Sequence, residues 1–187
     1  MEHKHKIGLY IGRFQPFHKG HKSIVEAALK QCDRLIIGIG SSQETRTKRN
    51  PFSYEEREQM ILRSFFAEEL YSRIIIIPIP DRTEYSDDAS WGQYVLNCVW
   101  QLCGLRPSIN FSGREQCRST WFEGIDIEEV VIERNIIPFS ATELRQALIN
   151  DNVADFFRMT PSMLWLGYDR MRKIILEVND NEHKISG

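Results

Sequence analysis

The sequence predicts an α/β fold: a three-layer sandwich with a mostly parallel sheet and additional helices toward its C-terminal end. Three observations predict it. Short runs rich in β-branched residues, such as "RLIIGIG" and "RIIIIPI", alternate with segments whose apolar residues recur at helical spacing. Those runs are continuous in their apolar character, as strands covered on both faces should be. Three Ser-x-x-Glu/Gln pairs, Ser53 with Glu56, Ser90 with Gln93 and Ser140 with Glu143, stand where helices should open, each matching a capping box.

Taken in order, "KIGLYIG" reads as the first strand, and from about Lys19 the residues Ile24, Ala27, Ala28 and Leu29 fall on a helical stripe. "RLIIGIG" is the second strand. A polar loop, "SSQETRTKRNP", leads to the Ser53 box and a helix whose stripe runs through Met60, Ile61, Phe65 and Leu70. "RIIIIPI" is the third strand, with Pro78 near its end, where a missing backbone donor costs least. After "PDRTEYSDDA" the Ser90 box opens a helix that Gly104 ends. "PSINFS" and "EEVVIE" are shorter strands separated by a helical stretch near Glu115 to Phe122. Ser140 starts the helix "ATELRQALI", and from Pro161 a final amphipathic helix carries Leu164, Tyr168, Met171 and Ile175 on one face. Right-handed crossovers between parallel strands then put the chemically loaded loops, which leave the carboxyl ends of the strands, on one rim.

Length and charge narrow the function classes. With 187 residues, 42% of them hydrophobic, one domain over 1–187 is expected, its helical C-terminal part at about 140–178. A net charge of −2 supplies no basic field for a nucleic-acid backbone. No run of about 18 apolar residues occurs, and the polar opening "MEHKHK" is unlike a signal peptide. The expectation is a cytoplasmic protein that binds neither nucleic acid nor membrane. Cys32, Cys98, Cys103 and Cys117 form no Cys-x-x-Cys pair and read as reduced thiols. His3 and His5 could bind metal adventitiously, but the expectation is a frayed terminus.

The chemistry-bearing residues crowd two places. In "GRFQPFHKGH", His18 and His21 are three positions apart at the start of a helix, so they face one way beside the free N–H groups that favour phosphate. Two such rings can donate hydrogen bonds to phosphoryl oxygens as charge builds. A His-x-x-His metal pair is the rival reading, but it lacks an intervening Glu and a third ligand. In "SATELR", Ser140, Thr142 and Arg145 supply hydroxyls and a guanidinium at another helix start. Ser140 already has a sufficient task as an N-cap. Two anion sites on one rim nonetheless suit a ligand with a chain of phosphates.

"GRFQPFHKGH" together with "SATELR" resembles the His-x-Gly-His nucleotidyltransferase superfamily, whose fold is a Rossmann-like sheet. Within it, the run through "LIIGIGSSQETRTKRNPFSYEER" is similar to the archaeal-type nicotinamide-mononucleotide adenylyltransferases. The resemblance is dense over residues 7–63 and returns at "SATELR". It implies transfer of AMP from ATP to nicotinamide mononucleotide, giving NAD and pyrophosphate. It also implies catalytic roles for His18, His21 and Arg145, with Gly12, Arg13, Phe14, Lys19, Ser112, Gly113, Ser140 and Thr142 around ATP. Arg49 matches an arginine for the acceptor's phosphate, Trp91 a tryptophan that stacks on its ring, and Asp81 an aspartate on the substrate loop. The implied cofactor is Mg2+ carried by ATP, with no metal cage of protein ligands; Asp87 and Asp88 read as a solvated loop. A homo-oligomer is consistent with the family.

Departures and rivals are also written in the chain. Arg114 stands where the family usually has asparagine, and 94–105 diverges. The same fold serves other phosphorylated acceptors, nicotinic acid mononucleotide and phosphopantetheine among them. A module sensing NAD or ATP without turnover is the reading of another class. Trp100, Trp121 and Trp165 fall within amphipathic patterns and are expected in the core or an interface.

Overall fold

Five strands, β1 (Ile7–Gly12), β2 (Arg34–Gly40), β3 (Ile74–Ile79), β4 (Ile109–Gly113) and β5 (Glu128–Ile132), pair in parallel in the order β3-β2-β1-β4-β5. This is a computed structural model, and it describes residues 6–82, 88–113, 121–133 and 140–185, the side chains of 88–90 and 182–185 excepted. The helices are α1 (Lys19–Ala28), α2 (Tyr54–Phe65), α3 (Asp88–Cys103), α4 (Ala141–Ile149), α5 (Val153–Met159) and α6 (Tyr168–Ile185).

The unbroken apolar run of β2 is explained by its surroundings, since every residue from Leu35 to Gly40 is buried. Successive side chains leave opposite faces. Leu35, Ile37 and Ile39 enter a core shared with Ile24 and Val25 of α1, Ile61 and Phe65 of α2, and Leu148, Phe156 and Ile175 of the C-terminal helices. Ile36 enters a smaller core with Leu9 of β1 and Val95 and Val99 of α3. Each such fully buried aliphatic side chain stabilises the fold by roughly 1.5–3 kcal/mol. β3 ends the sheet, and Pro78 lies in it, paired with Ile39.

Among the described residues the predicted strands and helices are present, with four corrections. α2 stops at Phe65, and Leu70 sits in a separate 3-10 turn, Glu69–Arg73. The Lys22 ammonium takes up the Ser64 carbonyl that a longer helix would have used, at 3.0 Å. α3 begins at Asp88, so Ser90 lies inside its first turn and is not its N-cap; Gln93 donates forward to Asn97 Oδ1 at 3.0 Å. Residues Ser162–Gly167 form a 3-10 turn, and the final α-helix starts only at Tyr168. Leu164, Met171 and Ile175 are buried as the stripe requires, whichever helical winding carries them. Finally, α5, capped by the Asn152 side chain on the Asp155 N–H, was not expected. Gly104 does end α3, at φ +66°, where its lack of a Cβ matters. His3, His5, Asp87, Arg114, Cys117 and most of the stretch from Glu115 to Phe122 lie outside the described residues.

Candidate active site

Because all five strands run parallel, their carboxyl ends share one rim, and the strand order reverses beside β1, between β2 and β4. A crevice forms at such a switch point. The "GRFQPFHKGH" loop leaves β1 there.

His18 is the N-cap of α1, and its Nδ1 accepts the Gly20 N–H at 3.1 Å. His21 answers: its Nδ1 accepts the His18 N–H at 3.3 Å, so two imidazoles form a reciprocal capping box. With Nδ1 accepting in each neutral ring, the proton sits on Nε2, which becomes the donor. The rings stack at 3.7 Å between centroids and are only 1% and 4% exposed. Phe17 stacks on His21 from 5.6 Å and Phe14 meets it edge-on at 5.0 Å. Phe14 reaches that place through a left-handed backbone, φ 52°, and its ring folds back over Gly12, where any Cβ would lie 2.8 Å from it. Phe14 therefore packs beneath the histidine instead of lining the crevice.

α4 brings the second predicted cluster to the same loop. Arg145 Nη1 donates to the Gln15 carbonyl at 2.6 Å, and Nη2 to Thr142 Oγ1 at 3.2 Å. Burial, and then the nearby Arg13 cation, pull the Arg145 pKa below its ordinary value. Ser140 caps α4, its hydroxyl accepting the Glu143 N–H at 3.2 Å, while the Glu143 carboxylate accepts the Ser140 N–H at 2.7 Å and hydroxyl at 2.9 Å. Those bonds, the backbone one first, hold the Glu143 carboxyl below the usual range. Lys19 is turned elsewhere. Its ammonium donates to the Phe157 and Arg158 carbonyls at 3.2 and 2.8 Å, satisfying the open end of α5.

On the other side of the loop lies a cavity of about 400 Å3 that gathers Gly12, Arg13 and Ser112 with Arg49, Asp81 and Trp91. His18, His21, Gly113, Ser140, Thr142 and Arg145 are not in its wall. Asp81 is oriented by Gln43, whose Oε1 accepts the Asp81 N–H at 3.0 Å. The buried indole Nε1 of Trp91 has no hydrogen-bond partner among the described residues. Its ring meets Tyr94 at 5.3 Å and Trp121 at 5.7 Å. A larger cavity, about 780 Å3, opens at the opposite end of the sheet by Lys6, Ser108 and Glu128, and holds none of the predicted side chains.

Sequence reasoning missed six residues of the smaller cavity: Ile11, Ser41, Asn110, Phe111, Trp121 and Glu129. Ser41 belongs to the quoted "GSSQ" turn. Asn110 and Glu129 are opposed in the β4–β5 register, a relation visible only once pairing is known. Trp121 packs against the smaller core, as expected, and also forms part of the cavity wall. Trp100 is half-exposed under Arg106, 4.7 Å from its ring centroid, while Trp165 stacks on Phe157. Among the described residues no three His, Cys, Asp or Glu side chains converge as a metal would require. No described helix is long and apolar enough to cross a membrane.

Comparison with known proteins gives the geometry a context. A family model described as cytidylyltransferase-like matches residues 9–74. A nicotinamide-nucleotide adenylyltransferase of Thermococcus onnurineus is 31% identical over 96% of this chain and 94% of its own length. A bifunctional NMN adenylyltransferase/ADP ribose pyrophosphatase from Francisella tularensis superposes with a TM-score of 0.80 at 25% identity, over 98% of this chain and 55% of that one. A structure of the Francisella protein complexed with AMP and a Mn ion matches with a TM-score of 0.65 at 30% identity, over 79% of this chain and 42% of that one.

Proposed function

Since the chain belongs to the nicotinamide-nucleotide adenylyltransferase family, we propose that its rim transfers AMP from ATP to nicotinamide mononucleotide, giving NAD and pyrophosphate. The observation that carries this reading is the Arg145 bond to the Gln15 carbonyl, which joins α4 to the histidine loop across 130 residues. It ties α4 to the loop that opens α1, which supports reading the two helix starts as parts of one phosphate site.

In the proposed reaction the acceptor's phosphate oxygen attacks the α-phosphorus of ATP in line, and the bond to the bridging oxygen of pyrophosphate breaks. The nucleophile is already ionised, so the protein needs no general base; positioning and charge stabilisation suffice. His18 and His21 donate from Nε2 to the phosphoryl oxygens, held in that tautomer by their capping bonds. Arg145 and Arg13, which repel each other in the free protein, both gain from a polyphosphate between them. Thr142 presents its hydroxyl at the α4 start, Ser140 would do so by turning its hydroxyl from the Glu143 carboxylate, and Ser112 and Gly113 border the nucleoside. Lys19, committed to the α5 carbonyls, is left out.

The acceptor fits the 400 Å3 cavity. Its flat ring suits the Trp91 face, and its phosphate suits Arg49 and Arg13. Two carboxylates on the same wall, Asp81 and Glu129, favour the neutral amide over the carboxylate of nicotinic acid mononucleotide. A divalent ion, Mg2+ in this proposal, would arrive on the triphosphate and neutralise its charge, since the arginines and imidazole N–H groups here suit phosphate oxygens and not a cation.

The test is a coupled assay for NAD from ATP, Mg2+ and nicotinamide mononucleotide, with nicotinic acid mononucleotide and phosphopantetheine in parallel. Rapid NAD formation is expected, with the amide preferred. Silence in every well while ATP still binds would move the reading to another acceptor or a non-catalytic sensor.

A further inference from the structure

Arg57, in the first turn of α2, is fully buried. Its guanidinium donates only to backbone carbonyls among the described residues: Nε to Ser53 at 3.1 Å, Nη1 to Arg13 at 2.9 Å and Gly40 at 2.8 Å, and Nη2 to Ser41 at 3.1 Å. A buried cation is costly to keep, and burial pulls its pKa down to about 10, so the side chain stays charged at neutral pH.

The acceptors are not scattered. The β1–β2 ladder closes at Gly12 opposite Ile39, and Arg13 and Gly40 are the next residues on each strand. One guanidinium nitrogen therefore takes the place of the ladder where the two strands part. Immediately afterwards both chains turn through the left-handed region, Phe14 at φ 52° and Ser41 at φ 48°, a conformation that side chains other than glycine rarely adopt. Phe14 then supports His21, while Arg13 and Ser41 enter the cavity wall. Gln15 adds a second tie between the same loops, its side-chain amide exchanging two 2.9 Å bonds with the Phe52 backbone.

We infer that Arg57 is a positioning residue that fixes the loop after β1 and the loop after β2 in one relation, so that nucleotide and acceptor meet with their reacting atoms in line. This rests on the assignment of those loops to ATP and acceptor given above. Each subsite keeps its own side chains without Arg57; what is lost is their mutual placement. Small misplacements of this kind cost rate far more than affinity. Lysine keeps the charge but cannot span the fork of carbonyls.

The experiment uses the full chain with Arg57→Lys and Arg57→Met. Turnover is measured with ATP, Mg2+ and nicotinamide mononucleotide, and ATP binding is titrated by calorimetry for affinity and stoichiometry. The expected result for Arg57→Lys is native circular dichroism, one ATP bound per chain within threefold of native affinity, and kcat lowered about 100-fold. A merely structural role would lower stoichiometry and turnover in proportion, leaving kcat per bound site unchanged, and that outcome overturns the inference. So does a native kcat in either variant, or failure of both to fold. If only Arg57→Met fails to fold, the lysine variant decides. A wild-type chain that makes no NAD defeats the functional reading and this one with it; a productive wild type beside a productive Arg57→Lys defeats this one alone.

Discussion

Around the loop after β1, polar atoms are committed before any substrate arrives, whereas across the crevice the groups that would meet the acceptor stand comparatively open. His18 and His21 cap each other's backbone, Gln15 is bonded through its side chain and its carbonyl, and Arg145 is bonded to that carbonyl. Arg49 and Asp81, by contrast, are exposed, and Trp91 keeps a buried N–H with no partner among the described residues. The difference teaches where rigidity is needed. Groups that stabilise a short-lived charge must already be in place, because reorganising them during the reaction would raise the barrier. Groups that select and admit a substrate work from the surface, where an arriving phosphate or ring can complete them.

The contrast breaks most sharply at the histidines. His18→Asn keeps a good N-cap but removes the Nε2 donor, so kcat should fall by about 10²–10³. The melting temperature should stay near native; a variant that turns over normally would refute the assignment. His18→Ala is a poorer test, because it also removes the cap. On the open side, Trp91→Ala should raise KM for the acceptor about tenfold while kcat changes by less than about threefold. A loss of kcat alone, read from initial rates, would put Trp91 on the committed side instead.

Smaller effects sharpen the boundary. Lys19→Met removes two hydrogen bonds to the end of α5 and should cost about 1 kcal/mol in denaturant unfolding. KM for ATP should stay within twofold, and a larger rise would return Lys19 to the nucleotide. Least of all is the pH term from Glu143. Its folded pKa lies below the unfolded one, so its capping contribution is present at neutral pH and is lost as pH falls below about 4. The melting temperature of Glu143→Gln should fall less than the wild type's over that window, by about 1 °C.

Much of the committed side was legible because its signals are local. Ser140 with Glu143, Ser53 with Glu56 and the apolar run of β2 each specify a neighbour within a few residues, and α4 and β2 have the predicted bounds. Ser90 with Gln93 carries the same local signal and misled, since the chain is already helical at Asp88. α5 has a cap but only seven residues, too few for its periodicity to stand out. Arg57, Gln15 and Trp121 were not legible for another reason. Their partners are backbone carbonyls or a ring brought close by the fold, and neither leaves a mark in the sequence.

Strand β3 has a bearing on what happens when the molecule opens. It carries "IIII" at the edge of the sheet, a segment able to pair with its own copies once its neighbours melt. Pro78, lacking an N–H, blunts one end of that segment and leaves the isoleucines before it unprotected. Heat is therefore expected to end in precipitation, with survival of the enzyme governed by how often β3 comes free and by how many other chains are within reach at that moment.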